Sequence, residues 1–275
     1  MNIKQTIISM AYVEFMIFLE VVLLAIAQGI TEFLPVSSSG HLVVLAAVFE
    51  RFGVEMDEKL TLNIILHLGT LLAILVFYRR RIIDLLSKDR HVIGLLAIGT
   101  IPAVAVGIPM KKYCEELLVD PLLAGPMFLV TAGMLLWTRN NRGGELECRE
   151  LSYRHAFVIG IFQAFAILPG VSRSGSTIVA GLGCGLRREE AATFSFLLAI
   201  PVIGGAGFLD LKDLLGNSNH SVSLSVLAIG AAVSFAVGLA ALSWLVNWVR
   251  HGHLHWFVWW LVPLGIIVTT WQVFW

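Results

Sequence analysis

Gln28-Gly-Ile-Thr-Glu-Phe-Leu-Pro-Val-Ser-Ser-Ser-Gly-His41 ends the first long apolar stretch of a 275-residue chain and sets a carboxylate, three hydroxyls and an imidazole in what otherwise reads as membrane. An ionisable side chain at that depth costs on the order of 3 kcal/mol, so Glu32 and His41 are expected to line a cavity or a substrate path rather than face lipid. Pro35 removes a helical donor, and the backbone groups it frees survive at membrane depth only where protein or water surrounds them. The stretch predicts a broken segment with a functional site at the break.

The composition agrees. Hydrophobic residues make up 57% of the chain and charged residues only 14%, with mean hydropathy +0.84, against roughly 25% charged in soluble domains. This pattern is that of an all-α polytopic membrane protein. Lys plus Arg number 19 and Asp plus Glu also 19, a balance that gives no reason to propose a nucleic-acid partner. Cys114, Cys148 and Cys184 are odd in number and lack a CxxC spacing, so they read as small apolar fillers rather than a disulfide or zinc set. Glu14 and Glu20 interrupt the N-terminal apolar run and no small-residue cleavage site follows, so the N-terminus is expected to stay on the mature chain.

Apolar runs bounded by charges, Gly and Pro predict helices near 14–34, 40–50, 60–78, 91–110 and 121–138, then 153–168, 175–186, 190–209, 222–249 and 255–274. A crossing needs about 20 apolar residues. The runs at 40–50 and 175–186 are too short and each follows a Pro/Gly/Ser loop, so each is expected to close a re-entrant hairpin, leaving about six crossings. Val36-Ser-Ser-Ser-Gly40 also aligns with Val171-Ser-Arg-Ser-Gly175, each after a proline and downstream of Gln28 or Gln163. The whole chain is thus expected to be one membrane domain built as an inverted repeat of 14–138 and 153–274, its two broken segments meeting near the midplane. Placing Arg79-Arg80-Arg81, Lys88 and Arg90 in the cytoplasm puts Arg139, Arg142, Arg149, Arg154, Arg187, Arg188 and Arg250 there too. Lys4, Arg51, Lys59, Lys111, Lys112 and Lys212 then lie outside, with Arg173 in the site. The hairpin bearing Glu32 is then expected to open to the exterior.

The second loop, Leu168-Pro-Gly-Val-Ser-Arg-Ser-Gly-Ser-Thr177, centres a guanidinium among hydroxyls. Arg stays charged and forks onto two oxygens, and N–H groups at the start of the next helix add donors, a combination suited to phosphate. An isolated Ser-Arg-Ser is more often a solvated loop; its pairing with the first loop argues otherwise. Gln28 and Glu32 lie four apart on one helical face, where they can meet a divalent cation, or Glu32 can act as a general base. Ser38 is the expected nucleophile, with Glu32 or His41 to take its proton and His41 to protonate the leaving oxygen. His67, His91, His155 and His220 lack such neighbours in sequence. His251, His253 and His255 cluster beside Trp256 and make a poor metal site, while Trp256, Trp259 and Trp260 read as interfacial anchors. Glu189 and Glu190 lie off both loops and carry no assigned role.

These residues resemble the undecaprenyl-diphosphatase family, BacA/UppP, of bacterial inner membranes. Its first motif, Glu or Gln, three residues, Glu, then Phe-Leu-Pro-(Val/Ile)-Ser-Ser-(Ser/Thr)-Gly-His, stands here as Gln28 to His41; its second, Pro-Gly-x-Ser-Arg-Ser-Gly-x-Thr, as Pro169 to Thr177. Leu68-Gly69, Ile101-Pro102 and Phe194 to Pro201 extend the likeness along the chain. The resemblance implies hydrolysis of undecaprenyl diphosphate to the monophosphate and phosphate, recycling the lipid carrier for cell-wall synthesis, with bacitracin resistance on overproduction. It implies Mg²⁺ or Ca²⁺ at Glu32 and Gln28, a multi-pass inner-membrane location and a periplasmic site. By position Glu32, Ser38, His41 and Arg173 match the catalytic residues, and Gln28, Ser37, Ser172, Ser174 and Thr177 match phosphate-site neighbours; Ser39, Gly170 and Gly175 complete the expected substrate contacts. Many members carry glutamate where Gln28 stands, which weakens a two-carboxylate metal site. The partners expected are a polyprenyl diphosphate and membrane lipid, with a homodimer as the one protein partner entertained. The rival reading is a polyprenyl-phosphate transporter or flippase, since inverted repeats with broken helices build many transporters.

Overall fold

The structure, a computed structural model, describes residues 3–51, 59–141, 143–216 and 223–274. Arg142 and His220, and the side chains of Lys4, Glu14, Lys59 and Lys212, lie outside the described residues.

The described chain is helical: α1 Ile3–Thr31, α2 Ser38–Arg51, α3 Lys59–Phe77, α4 Arg79–Ser87, α5 Arg90–Tyr113, α6 Glu115–Leu118, α7 Pro121–Trp137, α8 Tyr153–Phe165, α9 Arg173–Gly183, α10 Arg188–Gly216, α11 Leu224–Arg250 and α12 Val258–Phe274. By length and apolarity four of these regions can cross a membrane: α5, the first 21 residues of α10, α11 from Ser225, and α12 with the 3₁₀ turn before it. The pair α3 and α4 counts as a fifth span, bent by 67°. Six were expected. The sixth, α7, has 17 residues, roughly 26 Å of helix against a hydrocarbon core of about 30 Å.

Two further differences have plain causes. Arg79 to Arg81 was expected in a loop, but Ile82, Leu85 and Leu86 follow at helical spacing, and Leu85 is buried against the core. The charge block therefore opens a helix that turns away at Tyr78. The first helix also starts at Ile3, well before the expected residue 14.

Small residues let the helices approach closely, as packing in lipid requires. Gly69 of α3 lies on the Ala231 carbonyl of α11, Gly29 of α1 on Ser234 and Val237 of α11, Gly160 of α8 on Gly99 of α5, and Gly125 of α7 on Thr269 of α12. Ser234 Oγ donates to the Leu66 carbonyl at 2.9 Å, fixing α11 to α3. Long apolar side chains face outward instead, including Leu23, Ile108 and Trp259, the last 84% exposed. Such a surface suits lipid.

The segments grouped by charge meet at one end of the bundle. Arg187 pairs with Glu147 and Glu190, Arg250 with Glu189, and His91 lies 3.3 Å from the Leu151 carbonyl. Cys148 sits there fully buried, its N–H donating to Glu190 at 2.9 Å, and burial pushes its thiol pKa up, in keeping with an inert filler.

Candidate active site

The break after α1 follows from the chain. The last helical bonds are Glu32 N–H to the Gln28 carbonyl at 3.0 Å and Leu34 N–H to Ile30 at 3.2 Å, after which Pro35 offers no donor. Ser37 then takes φ 69°, an uncommon value for a residue with a side chain. Its Oγ accepts from the Gly40 N–H at 3.2 Å, which caps α2. In the second loop the left-handed residue is Gly170, at φ 93°, and Ser172 caps α9 by accepting from the Gly175 N–H at 3.1 Å. Phe33, fully buried on Phe196 of α10, holds the first loop to the core.

The two loops touch through backbone. Gly170 N–H donates to Ser37 Oγ at 3.1 Å, and Ser174 Oγ to the Leu34 carbonyl at 3.3 Å. Thr131 of α7, which no motif singles out, completes the joint: its hydroxyl donates to the Gly170 carbonyl at 2.8 Å and accepts from Ser172 N–H at 3.1 Å. Thr131→Val keeps the shape but orphans both buried groups, at about 1–3 kcal/mol each. The expected outcome is a clearly lowered thermal midpoint in detergent, read by intrinsic fluorescence, with the protein still monodisperse.

At the junction Arg173 Nη2 donates to Glu32 Oε1 at 2.6 Å. Ser38 Oγ donates to Glu32 Oε2 at 2.8 Å, and Gln28 Nε2 reaches the same oxygen at 3.1 Å. Both charged side chains are largely buried, 6% exposed for Glu32 and 16% for Arg173. Thr31, Glu32, Ser37, Ser38, Ser39, Ala166, Val171, Ser172 and Arg173 enclose a cleft of about 240 Å³ including its open mouth. The N-termini of α2 and α9 both face this cleft, so two helix dipoles and their free N–H groups converge there. Arg173 Nη1 is buried without a hydrogen-bond partner among the described residues. An unsatisfied guanidinium N–H beside two helix N-termini is chemically suited to an anion.

Of the residues singled out from the sequence, Glu32, Ser37, Ser38, Ser39, Ser172 and Arg173 line the cleft. Others support it from behind. Gln28 is fully buried behind Glu32. Gly170, Ser174 and Gly175 form the joint between the loops, and the Thr177 hydroxyl turns away to bond the Arg173 carbonyl at 2.7 Å and Ser195 Oγ at 2.6 Å. His41 differs most from expectation, because it does not line the cleft. Its Nε2 accepts from the Trp260 indole N–H at 3.0 Å, which leaves the proton on Nδ1, and that nitrogen donates to the Ser37 carbonyl at 2.7 Å. Trp260, read as an interfacial anchor, thus also stacks on His41. His67, set aside for lack of company, lies with Nε2 3.5 Å from Glu32 Oε2. Only the fold brings α3 alongside α1, so no local signal could have found it.

Fold and site define a class: a helical membrane protein whose two broken segments close a hydroxyl-lined cleft around a buried carboxylate and guanidinium. A family model, bacitracin resistance protein BacA, matches residues 21–267, and the chain belongs to that family. An undecaprenyl-diphosphatase of Rhodopirellula baltica is 54% identical over 253 residues, covering 91% of this chain and 96% of the relative. Undecaprenyl-diphosphatase 4 of Bacillus thuringiensis is 39% identical over 93% of this chain and 97% of its own. An undecaprenyl-diphosphatase of Methanosphaera stadtmanae is 35% identical over 90% and 96%.

Proposed function

We propose that this protein hydrolyses undecaprenyl diphosphate to undecaprenyl phosphate and inorganic phosphate, recycling the lipid carrier for cell-wall synthesis and protecting against bacitracin. The observation that carries the reading is the junction itself: a serine hydroxyl hydrogen-bonded to a buried glutamate, and beside it a guanidinium with one N–H unspent. The kinship with undecaprenyl-diphosphatases along nearly the whole chain names the lipid.

The diphosphate displaces neither loop. Its terminal phosphate takes the N–H groups at the starts of α2 and α9 and the free Arg173 Nη1, which together offset the charge that gathers on the phosphoryl oxygens. Ser38 Oγ attacks that phosphorus as Glu32 Oε2 takes its proton; the bond to the bridging oxygen breaks and undecaprenyl phosphate leaves. Glu32 hands that proton to an oxygen of the departing undecaprenyl phosphate; water then attacks the phosphoserine and gives a proton to Glu32, which returns it to Ser38 Oγ as inorganic phosphate leaves. Ser37, Ser39 and Ser172 supply neutral donors around the headgroup. His41, its single N–H committed to the Ser37 carbonyl, steadies the strained turn that aims Ser38.

A divalent cation, Mg²⁺ or Ca²⁺, fits this donor set on one observation: Gln28 Oε1 is buried, unpartnered among the described residues and on the residue that bonds Glu32. Glu32 and Gln28 would hold it, and it would neutralise phosphate charge. Among the described residues no three His, Cys, Asp or Glu side chains gather.

The architecture behind this reading is an inverted repeat of 14–138 and 153–274, with α7 as the sixth crossing and α1–α2 and α8–α9 as the hairpins. Support comes from the reciprocal packing: α1 of the first half lies along α11 of the second, and α8 of the second along α5 of the first. The arginine-rich end faces the cytoplasm by the positive-inside rule, and the cleft faces the periplasm of a bacterial inner membrane.

Purified protein given radiolabelled polyprenyl diphosphate is expected to release phosphate and, on acid quench, to retain covalent label at Ser38. Ser38→Ala is expected to do neither. Lipid movement without phosphate release would leave a transporter as the reading; release without label would replace Ser38 attack by water.

A further inference from the structure

Trp260 of α12 spends its one polar group in a way that anchoring does not require. An interfacial tryptophan turns its indole N–H toward water or headgroups. The Trp260 N–H instead donates at 3.0 Å to Nε2 of His41, 219 positions earlier in the chain, with the two ring planes within 7° of parallel. The residue is 56% exposed, so burial of its rings does not account for that direction.

An indole N–H only donates, so His41 Nε2 must offer a lone pair. A carbonyl only accepts, so Nδ1, 2.7 Å from the Ser37 carbonyl, carries the ring proton. The two partners demand the same neutral form of His41, and neither bond survives if the proton moves to Nε2. Phe128 of α7 closes a third side, edge-on to the imidazole with centroids 5.2 Å apart.

What His41 holds is the peptide unit that joins Ser37 to Ser38. That unit is planar, so fixing its carbonyl oxygen also fixes the direction in which the Ser38 Cα leaves it. Ser37 sits there at φ 69°, a conformation that a serine keeps only where its surroundings impose it. Ser38 Oγ, carried by the same peptide, reaches Glu32 Oε2 at 2.8 Å. A continuous line of contacts therefore runs from α12 into the cleft: indole, imidazole, carbonyl, serine.

We propose that Trp260 is a positioning residue for the hydrolysis: its N–H locks His41 in the Nδ1–H form, and His41 so locked aims Ser38 at the terminal phosphate. The inference rests on the phosphatase reading for what Ser38 does, whereas the lock itself stands on the geometry of the two rings and the loop.

The test uses full-length protein in detergent, labelled with ¹⁵N at histidine, and a radiolabelled polyprenyl diphosphate as substrate. His41, identified by the resonances lost in His41→Asn, is expected to show one ring nitrogen protonated and the other bare. Trp260→Phe should bring both nitrogens to averaged, intermediate shifts and lower kcat by about tenfold with KM unchanged. Trp259→Phe, at the 84% exposed neighbour, should move neither reading. In the His41→Asn background Trp260→Phe should lower kcat no further, because residues acting through one line of contacts lose their effect together. If Trp260→Phe fails to fold, benzothienylalanine in place of Trp260 keeps both rings, removes only the N–H, and must give the same two changes. A single tautomer that persists in the folded variant overturns the proposal. So does loss of the single tautomer with kcat unchanged, or a fall in kcat that adds in full to that of His41→Asn. Failure of the unaltered protein to release phosphate, with the tautomer change intact, would instead sink the phosphatase reading and leave the lock between α12 and the first loop standing.

Discussion

Arg173→Ala is expected to lower phosphate release from a polyprenyl diphosphate by about 10³-fold or more, the range seen when a guanidinium that meets transition-state charge is removed. The side chain has two jobs that the variant removes together. It neutralises Glu32, which is 6% exposed, and it offers the unspent Nη1 to the substrate. Breaking a buried pair by deleting one partner costs about 3–5 kcal/mol, so part of the loss could be mistaken for unfolding. Arg173→Lys separates the two. An ammonium keeps the charge opposite Glu32 but cannot fork onto carboxylate and phosphate at once. The lysine variant should keep its thermal midpoint to within a few degrees yet remain at least about 10²-fold slow. Full activity in Arg173→Lys would show that the guanidinium only balances charge.

Gly40→Ala is expected to be nearly as damaging by a different route. A β-carbon at Gly40 would stand 2.6 Å from the Gly170 nitrogen, 2.7 Å from its Cα and 2.8 Å from the Phe128 ring. Backbone atoms cannot swing aside as a flexible side chain does, so the loops must part by about 1 Å, a displacement that costs roughly 10²-fold where reacting groups need alignment. The expected result is a fall in kcat larger than the change in KM, with Ser37 no longer able to accept from Gly170. Gly133→Ala is the matched control: it adds a methyl to α7 with nothing within 4 Å. It should leave activity intact and, if anything, raise stability, since alanine is the better helix former by about 1 kcal/mol.

Much of the fold is written locally. Pro35 and Pro169 each stop a helix, Ser37 and Ser172 each cap the next, and these signals lie within a few residues of the breaks they cause. The cleft residues on those same loops were legible for that reason. What the sequence hid were contacts made by the packing of distant helices. His67 meets Glu32 because α3 runs beside α1, and Thr131 reaches Gly170 from 39 residues away. His41 shows the converse. Its neighbours in sequence are the site serines, but α12 supplies Trp260 to claim its free nitrogen. The helix at Arg79 was masked by its own charges, which dominate a hydropathy reading although Leu85, with Ile82 beside it, packs against the core.

The bond between Glu32 and Arg173 spans 141 positions of the chain. During synthesis the carboxylate is therefore made long before its guanidinium, and a nascent chain halted anywhere before the ninth helix carries the acid without the arginine that pairs with it. Such a chain has either to keep that acid protonated or to leave the hairpin uninserted. The halves expressed from two separate reading frames should therefore complete the site only when they find each other.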